Sequence, residues 1–441
     1  LLPLIEGTTV LPGNMAVGSV GDEDCAYAAG RVTATELHLL GINVNFAPVV
    51  DISNNPDNPS TGVRSFGGDP DKVARLGAAT IKGLQEHGMI ACAKHFPGKG
   101  DVSVDSHLDL PLNASSRGAL AKRELVPFRA AVEAGAGMIM TAHVMYPEVA
   151  ENKILPATLS KNVMTDLLRG ELKFKGVAIT DDLEMGAIEK YFTVEETVER
   201  AVLAGADLVM FCHTPAKQKK AIDALRRAVE SGRIPPQRID ESVGRISRLK
   251  QKISTRREDI AAALESVPYH HLIADRIARD SITIVRNEQG ILPLYLRHDQ
   301  RLLMIAPKYE VLTQVEEKEG EEEMILDLLR IRHEKTSLAR IDTEPGEKDF
   351  EVLSTVKEFH RVILLTYNAH LTVKQLLFAK KLIAARPDAV IVAVRNPYDL
   401  SKLADAQTTV ATYGYRNCSL KALVEVLFGE IEAKGVMPVK L

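Results

Sequence analysis

Residues 90–101 read IACAKHFPGKGD, an apolar run that ends abruptly in a polar, glycine-containing loop. A near-continuous apolar run of this length is typical of a parallel strand that is buried on both faces. Similar runs alternate with segments of helical period elsewhere in the first half, at 44–50, 137–142, 176–180 and 207–211. Repeated strand–helix units predict a parallel α/β fold, of which the TIM-type barrel is the commonest closed form.

Polar side chains follow these strands directly. They are Asp51, His95, His143, Asp181 and His213. In a barrel of parallel strands the active site is built at the carboxyl ends of the strands. The repeated position of these residues therefore marks the first half as an enzyme domain.

The second half also alternates strand and helix patterns, which predicts an open α/β sandwich. We expect a barrel domain at residues 1–255, a linker at 256–275 and the sandwich domain at 276–441. Only five clear strands precede residue 255, so the barrel is expected to lack its N-terminal part. The sequence begins at Leu1 without an initiator Met, and we expect the natural chain to start earlier.

The composition excludes several classes of protein. The formal net charge of −4 over 441 residues argues against an electrostatic grip on nucleic acid. No apolar run reaches the roughly 18 residues that a transmembrane helix needs. The four cysteines are widely separated, which indicates neither a disulfide framework nor a zinc site and favours a reducing compartment such as the cytoplasm. A cell-wall or secreted location stays open because the natural start is expected to be missing.

The densest polar group runs from Lys94 to Asp101 and on to Asp105-Ser106-His107. Lys94 and His95 could donate hydrogen bonds to a hydroxyl-rich ligand. Asp105 is close enough in sequence to orient the His107 imidazole, and such a dyad can act as general acid and base. Two alternatives stay open: a surface loop whose His and Asp only satisfy each other, and a metal site at Asp105, His107 and Asp109.

Asp181 and Asp182 directly follow the strand 176–180. A carboxylate in this position suits a glycosidase nucleophile, but one of the pair could instead cap a helix. Arg64 lies in a long loop after a strand, where it could clamp a ligand or fasten the loop. His143 is expected to line the floor of the pocket.

These segments resemble the family 3 β-N-acetylglucosaminidases of the glycoside hydrolases. Residues 94–107 are similar to that family's K-H-F-P-G-H-G-D-T…D-S-H signature, and the D-S-H element is specific to this subgroup. Further resemblances cover N-F-A-P-V-x-D, N-P…R-S-F-G, M-T-A-H-V and S-D-D-L-x-M, at residues 45–51, 58–67, 140–147 and 179–186. The similarity continues into the second half, at residues 280–294, 393–400 and 412–415, as in two-domain bacterial members.

The resemblance implies a role for each matching residue. Asp181 would be the nucleophile that forms a covalent glycosyl-enzyme, and His107, oriented by Asp105, would be the general acid/base. Residues that would hold or line the N-acetylglucosamine site are Lys94, His95, Arg64, His143 and Met185. No metal and no organic cofactor is implied.

The expected activity is removal of terminal β-linked N-acetylglucosamine from small carbohydrates, with peptidoglycan-derived fragments as the natural class. Two alternatives remain: a phosphorylase acting on the same substrates, and a non-catalytic sugar-binding relative. This sequence departs from the family in having Lys99 where His is usual. It also lacks the D-Q-E-G-G segment, which in the family supplies an Asp and an Arg to the sugar. The aglycone, the role of the second domain and the oligomeric state are not specified by the sequence.

Overall fold

The computed structural model describes residues 7–151, 154–253, 258–308 and 322–441. They form two compact units. The first, called the five-stranded unit, contains Ala26–Thr61 and the described residues of Gly68–Pro268. The second, called the six-stranded unit, contains Gly62–Gly67 together with the described residues up to Cys25 and from Tyr269 onward. In these residues, no helix combines the length and apolar character needed to cross a membrane.

Strands and helices are numbered in chain order. The strands are β1 (Val44–Asn45), β2 (Ile90–Phe96), β3 (Met138–Thr141), β4 (Val177–Asp182), β5 (Leu208–Met210), β6 (Thr283–Asn287), β7 (Leu302–Pro307), β8 (Thr336–Ile341), β9 (Arg361–Thr366), β10 (Val390–Ala393) and β11 (Thr408–Ala411). The α-helices are α1 (Asn14–Val20), α2 (Glu23–Leu39), α3 (Pro70–Glu86), α4 (Arg117–Lys122), α5 (Leu125–Glu133), α6 (Gly186–Glu189), α7 (Val194–Ala204), α8 (Pro215–Glu230), α9 (Pro236–Lys250), α10 (Glu258–Ser281), α11 (Glu322–Arg332), α12 (Glu347–Phe350), α13 (Val352–Thr355), α14 (Val373–Ala385) and α15 (Asn417–Leu427). A π-helix spans Asn162–Glu171, and short 3₁₀ helices lie at Gly62–Arg64, Ala157–Leu159, Val356–Glu358, Ala369–Leu371 and Pro397–Lys402.

The five-stranded unit contains the parallel sheet that the apolar runs predict, in the order β1-β2-β3-β4-β5. Cys92, Met140 and Ile179, on three neighbouring strands, pack into one core cluster. The first strand is shorter than predicted, since it ends at Asn45. The following residues stay bonded to β2, because the carbonyls of Ala47 and Pro48 accept from the N–H groups of Cys92 at 2.8 Å and Lys94 at 3.1 Å. The TIM-type fold class predicted for this part of the chain is confirmed, with these five strands as the curved parallel sheet of a half-barrel.

The six-stranded unit is an α/β sandwich, as predicted. Its sheet has the order β6-β11-β10-β9-β7-β8, with β6 antiparallel to β11. Alternate residues of β7 belong to two separate core clusters: Met304 packs with residues of α11 and α15, and Ile305 packs with residues of α14. This period of two places helices on both faces of the sheet. The strands β8 and β11 are not among those predicted from the sequence. The central residues of the edge strand β8 are only partly buried and include polar side chains, and two of the four buried residues of β11 are threonines.

The predicted linker, residues 256–275, falls on α10 from residue 258 onward. Residues 256 and 257 lie outside the described part of the chain. The segment Gly62–Gly67, placed by the sequence analysis in the barrel domain, is grouped with the six-stranded unit. The proposed domain boundaries stay a prediction.

Candidate active site

His95 lies near the end of β2 and is fixed by Asp51 from the segment that follows β1. The Nδ1 atom of His95 is 2.7 Å from Asp51 Oδ2, and the backbone N–H of Lys99 donates to Asp51 Oδ1 at 2.7 Å. Burial alone would raise the pKa of Asp51, but the attraction of His95 and these hydrogen bonds lower it. Burial lowers the pKa of His95, and the opposing effect of Asp51 is smaller. The pKa of His95 is therefore lowered to about 4. Asp51 therefore sets the orientation of a neutral imidazole.

Asp181 lies on β4, and its carboxylate is turned towards His95. The distance between Asp181 Oδ2 and His95 Nε2 is 3.9 Å, and the side chain keeps 18% of its surface exposed. Burial acts to raise the pKa of Asp181, but electrostatic interactions with the imidazoles of His95 and His143 and with the ammonium groups of Lys99 and Lys94 lower it well below its usual range. Asp181 is thus an ionised, partly accessible carboxylate at neutral and mildly acidic pH.

Asp182 has a different environment, although it is the next residue. Its Oδ1 atom accepts hydrogen bonds from the backbone N–H groups of Glu184 and Cys212, each at 3.2 Å. Its Oδ2 atom lies 3.2 Å from His213 Nε2. The sequence did not distinguish the two carboxylates. In the structure they differ, because Asp182 is hydrogen-bonded to the loops after β4 and β5.

His143 follows β3 and is completely buried. Its Nδ1 atom is 2.8 Å from Thr158 Oγ1, and its Nε2 atom is 3.0 Å from the carbonyl oxygen of Asp182. Burial is the main cause of a lowered pKa at His143. Both ring nitrogens have protein partners, so His143 holds the end of β4 in place.

Asp105 and His107 form the predicted pair. The Nδ1 atom of His107 is 2.7 Å from Asp105 Oδ1, and the backbone N–H of His107 donates to the same oxygen at 3.0 Å. Burial opposes ionisation of Asp105, but the hydrogen bonds from His107 lower its pKa. His107 keeps 21% of its side chain exposed, whereas Asp105 keeps 5%. The free Nε2 edge of an oriented imidazole is what a proton donor requires.

The loop that carries this dyad is attached to the segment after β4. The backbone N–H of Gly186 donates to the carbonyl of His107 at 3.1 Å, and that of Ala187 donates to the carbonyl of Ser106 at 3.0 Å. A Cβ atom at Gly186 would lie 2.7 Å from the carbonyl oxygens of His107 and Leu108. Only glycine permits this approach, which ties the dyad to the strand that carries Asp181.

Replacing Gly186 with alanine should therefore displace the dyad loop. Because a shift of about 1 Å at a catalytic group can cost 10²-fold in rate, we expect kcat to fall by roughly 10- to 100-fold. The matched control is Gly118→Ala on α4, where an added Cβ meets nothing within 4 Å. That control should keep its activity and gain about 0.5–1 kcal/mol in free energy of unfolding. Turnover assays with thermal melts distinguish the two, and equal activities would show that the close approach is not needed.

Lys99 contributes to the electrostatics of the site, although the sequence did not indicate it as a site residue. Its side chain is only 2% exposed, and its charge lowers the pKa of both Asp181 and Asp105. The available sequence signal was a lysine between two glycines directly after a buried strand. Lys94, on β2, acts on the pKa of Asp181 in the same direction.

The remaining sequence candidates have other surroundings. Met185 is 6% exposed and precedes α6. Arg64 ends the 3₁₀ helix Gly62–Arg64 in the six-stranded unit, where its carbonyl accepts a hydrogen bond from Asn14 Nδ2 at 2.7 Å. Asp109, a member of the alternative metal set, bonds instead to the Tyr191 hydroxyl at 2.6 Å and Lys190 Nζ at 3.4 Å. No group of three His, Cys, Asp or Glu side chains in the described ranges could hold a metal ion.

The chain is similar to known proteins over most of its length. The glycosyl hydrolase family 3 N-terminal domain matches residues 3–249. Beta-hexosaminidase A of Pseudoalteromonas piscicida is 35% identical over 313 residues, which are 66% of this chain and 52% of that protein, so the chain spans about half its length. The beta-N-acetylglucosaminidase/beta-glucosidase of Cellulomonas fimi is 30% identical, covering 99% of this chain and 81% of its own.

A solved structure extends the likeness to the whole fold. The glycoside hydrolase family 3 beta-N-acetylglucosaminidase from Paenibacillus sp. str. FPU-7 has 40% sequence identity and a TM-score of 0.91. The alignment covers 99% of this chain and 84% of that one. The family match to more than half of the sequence and the agreement of the fold lead to one conclusion: the chain belongs to glycosyl hydrolase family 3.

Proposed function

We propose that the protein is a retaining exo-β-N-acetylglucosaminidase. The observation that carries this proposal is the linked pair of catalytic groups. An ionised Asp181 lies at the end of β4, and the Asp105–His107 dyad is bonded to the segment that follows the same strand. A retaining glycosidase needs a nucleophile and a proton donor that act on opposite faces of one sugar ring.

In the first step, a carboxylate oxygen of Asp181 attacks the anomeric carbon. His107, protonated at both nitrogens and hydrogen-bonded to Asp105 through Nδ1, transfers its Nε2 proton to the departing oxygen. The products are a covalent glycosyl-aspartate and an alcohol. In the second step, His107 takes a proton from water, whose oxygen attacks the same carbon and releases Asp181 as a carboxylate.

The residues around Asp181 would bind the sugar. Lys94 and His95 are the proposed hydrogen-bond donors to its hydroxyl groups. The sugar-binding role of Arg64 stays a prediction from the sequence. His143 and Met185 would form the floor and wall of the site, consistent with their burial. The fold and motif matches to named β-N-acetylglucosaminidases support N-acetylglucosamine as the sugar. We propose peptidoglycan-derived fragments as the natural substrate class.

Product analysis tests this function directly. With 4-nitrophenyl β-N-acetylglucosaminide, we expect proton NMR to show the β-anomer of free N-acetylglucosamine as the first product. Two substitutions at the anomeric carbon restore the starting configuration. The α-anomer as first product would contradict the covalent mechanism. No turnover by folded protein would favour a sugar-binding relative.

The same assay with added inorganic phosphate separates hydrolysis from phosphorolysis. We expect free sugar to remain the product, because water is the acceptor in the proposed second step. Sugar 1-phosphate would instead assign the protein as a phosphorylase. In that case phosphate replaces water as the group that attacks the glycosyl-aspartate.

A further inference from the structure

We propose that the leaving-group sugar of a β-linked substrate binds on an exposed apolar surface formed by Tyr191 and Leu108. This inference rests on the proposed function, since it assigns the subsite next to the proton donor. Nothing in the mechanism above uses these two residues. Their place in the fold, beside His107 and bonded to its loop, is what points to the role.

Large apolar side chains are unusually exposed around the dyad. Leu108 is 62% exposed, Tyr191 54%, Leu112 50% and Val104 41%. Single exposed apolar residues are ordinary, whereas contiguous exposed apolar patches mark interaction sites. Three of these residues lie within five positions of His107 in the sequence, and the Tyr191 hydroxyl is joined to the same loop by a hydrogen bond to Asp109.

Tyr191 is held at two points. Its hydroxyl donates to Asp109 Oδ1 at 2.6 Å, and its backbone N–H donates to the carbonyl of Ile188 at 3.0 Å. Asp109 is itself oriented by the backbone N–H of Leu110 at 2.8 Å and by Lys190 Nζ at 3.4 Å. An exposed aromatic ring that is fixed in this way loses little conformational entropy when a ligand covers it.

The chemistry of the surface fits a pyranose ring. A sugar has apolar C–H faces and a rim of hydroxyl groups, so it suits an aromatic or aliphatic platform with charged groups at its edge. Tyr191 and Leu108 supply the apolar part, and Asp109 and Lys190 supply the polar edge. The oxygen that His107 protonates belongs to the leaving group, so a surface on the His107 loop adjoins that group and not the sugar bound at Asp181.

The test compares two substrates that differ only in the leaving group. N,N′-diacetylchitobiose presents a second sugar, whereas methyl β-N-acetylglucosaminide presents an alkoxide that needs the same proton from His107 but is too small to reach the surface. We expect Tyr191→Ala to lower kcat/KM for the disaccharide by about 3- to 10-fold and to leave that for the methyl glycoside within about 2-fold. Tyr191→Phe keeps the ring but loses the hydrogen bond to Asp109. Its ratio of kcat/KM for the disaccharide to kcat/KM for the methyl glycoside should therefore lie between the ratios of Tyr191→Ala and the parent.

The matched control is Tyr295→Ala, a tyrosine that is 82% exposed in the six-stranded unit and should leave the ratio of the two kcat/KM values unchanged. Equal losses on both substrates in Tyr191→Ala would assign Tyr191 to loop stability and overturn the inference. An unchanged ratio in both Tyr191 variants would overturn it as well. If the parent protein hydrolyses neither substrate, it is the proposed function that has failed.

Discussion

Asp181→Asn should lower kcat/KM for 4-nitrophenyl β-N-acetylglucosaminide by about 10⁴-fold, the order expected when a nucleophile is removed. The amide has nearly the same shape as the carboxylate but cannot form the glycosyl ester. The neighbours of Asp181 hold its pKa low despite its burial, so the wild-type carboxylate stays ionised under assay conditions. The loss should therefore be the same from pH 5 to pH 8.

Asp182→Asn is the matched control for this experiment. Asp182 accepts two backbone hydrogen bonds through Oδ1, and an asparagine oxygen can accept both. Only the contact with His213 would be weakened. We expect activity within about 10-fold of the parent, since both backbone hydrogen bonds to Oδ1 are kept. An inactive Asp182→Asn beside an active Asp181→Asn would reverse the assignment of the nucleophile.

A second measurement identifies the face of the sugar that Asp181 occupies. Asp181→Ala leaves room on that face for a small anion, so added azide should restore turnover. The product should be the α-glycosyl azide, because azide then displaces the aryl group in a single inverting step. Failure of azide to rescue a folded Asp181→Ala protein would count against nucleophilic attack by Asp181.

The strands could be predicted because parallel strands buried on both faces have an unmistakable apolar pattern. Runs such as 90–94 and 176–180 correspond to β2 and β4. Because the strands are parallel, the polar residues that follow them lie at the same edge of the sheet. Edge strands lack that pattern. β8 has partly buried central residues, so its sequence has no continuous apolar run.

Contacts between distant segments could not be predicted from one sequence. Asp51 is 44 residues from His95, and Gly186 is far along the chain from the His107 carbonyl that it approaches. The different environments of Asp181 and Asp182 likewise depend on the backbone N–H of Cys212, which the loop after β5 supplies. Local motifs can name candidate residues, but the orientation of each one depends on tertiary contacts of this kind. The roles assigned to these residues stay predictions until variants are measured.

His107→Ala should have effects that depend on the leaving group. A sugar alkoxide is a poor leaving group and needs a proton, whereas 2,4-dinitrophenolate leaves without one. We expect kcat/KM to fall by about 10²- to 10⁴-fold for N,N′-diacetylchitobiose and by less than about 10-fold for the dinitrophenyl glycoside. For the activated substrate kcat should still fall, because His107 no longer takes a proton from water in the second step. Added azide should restore that kcat and give the β-glycosyl azide, since it attacks the glycosyl-aspartate from the opposite face.

His213→Ala is the matched control, because His213 lies beside Asp182 but outside the dyad and is 77% exposed. It should change kcat/KM for both substrates by the same small factor. For Asp105→Asn, we expect kcat/KM on the disaccharide to lie between the values of the parent and of His107→Ala. This variant keeps the imidazole but weakens the hydrogen bond that orients Nδ1. Equal losses on both substrates in His107→Ala would mean that His107 does not donate the proton. The α-azide from this variant would place His107 on the nucleophile's side of the sugar. The two substitutions thus predict azides of opposite configuration, and only a retaining mechanism with Asp181 and His107 on opposite faces yields that pair of products.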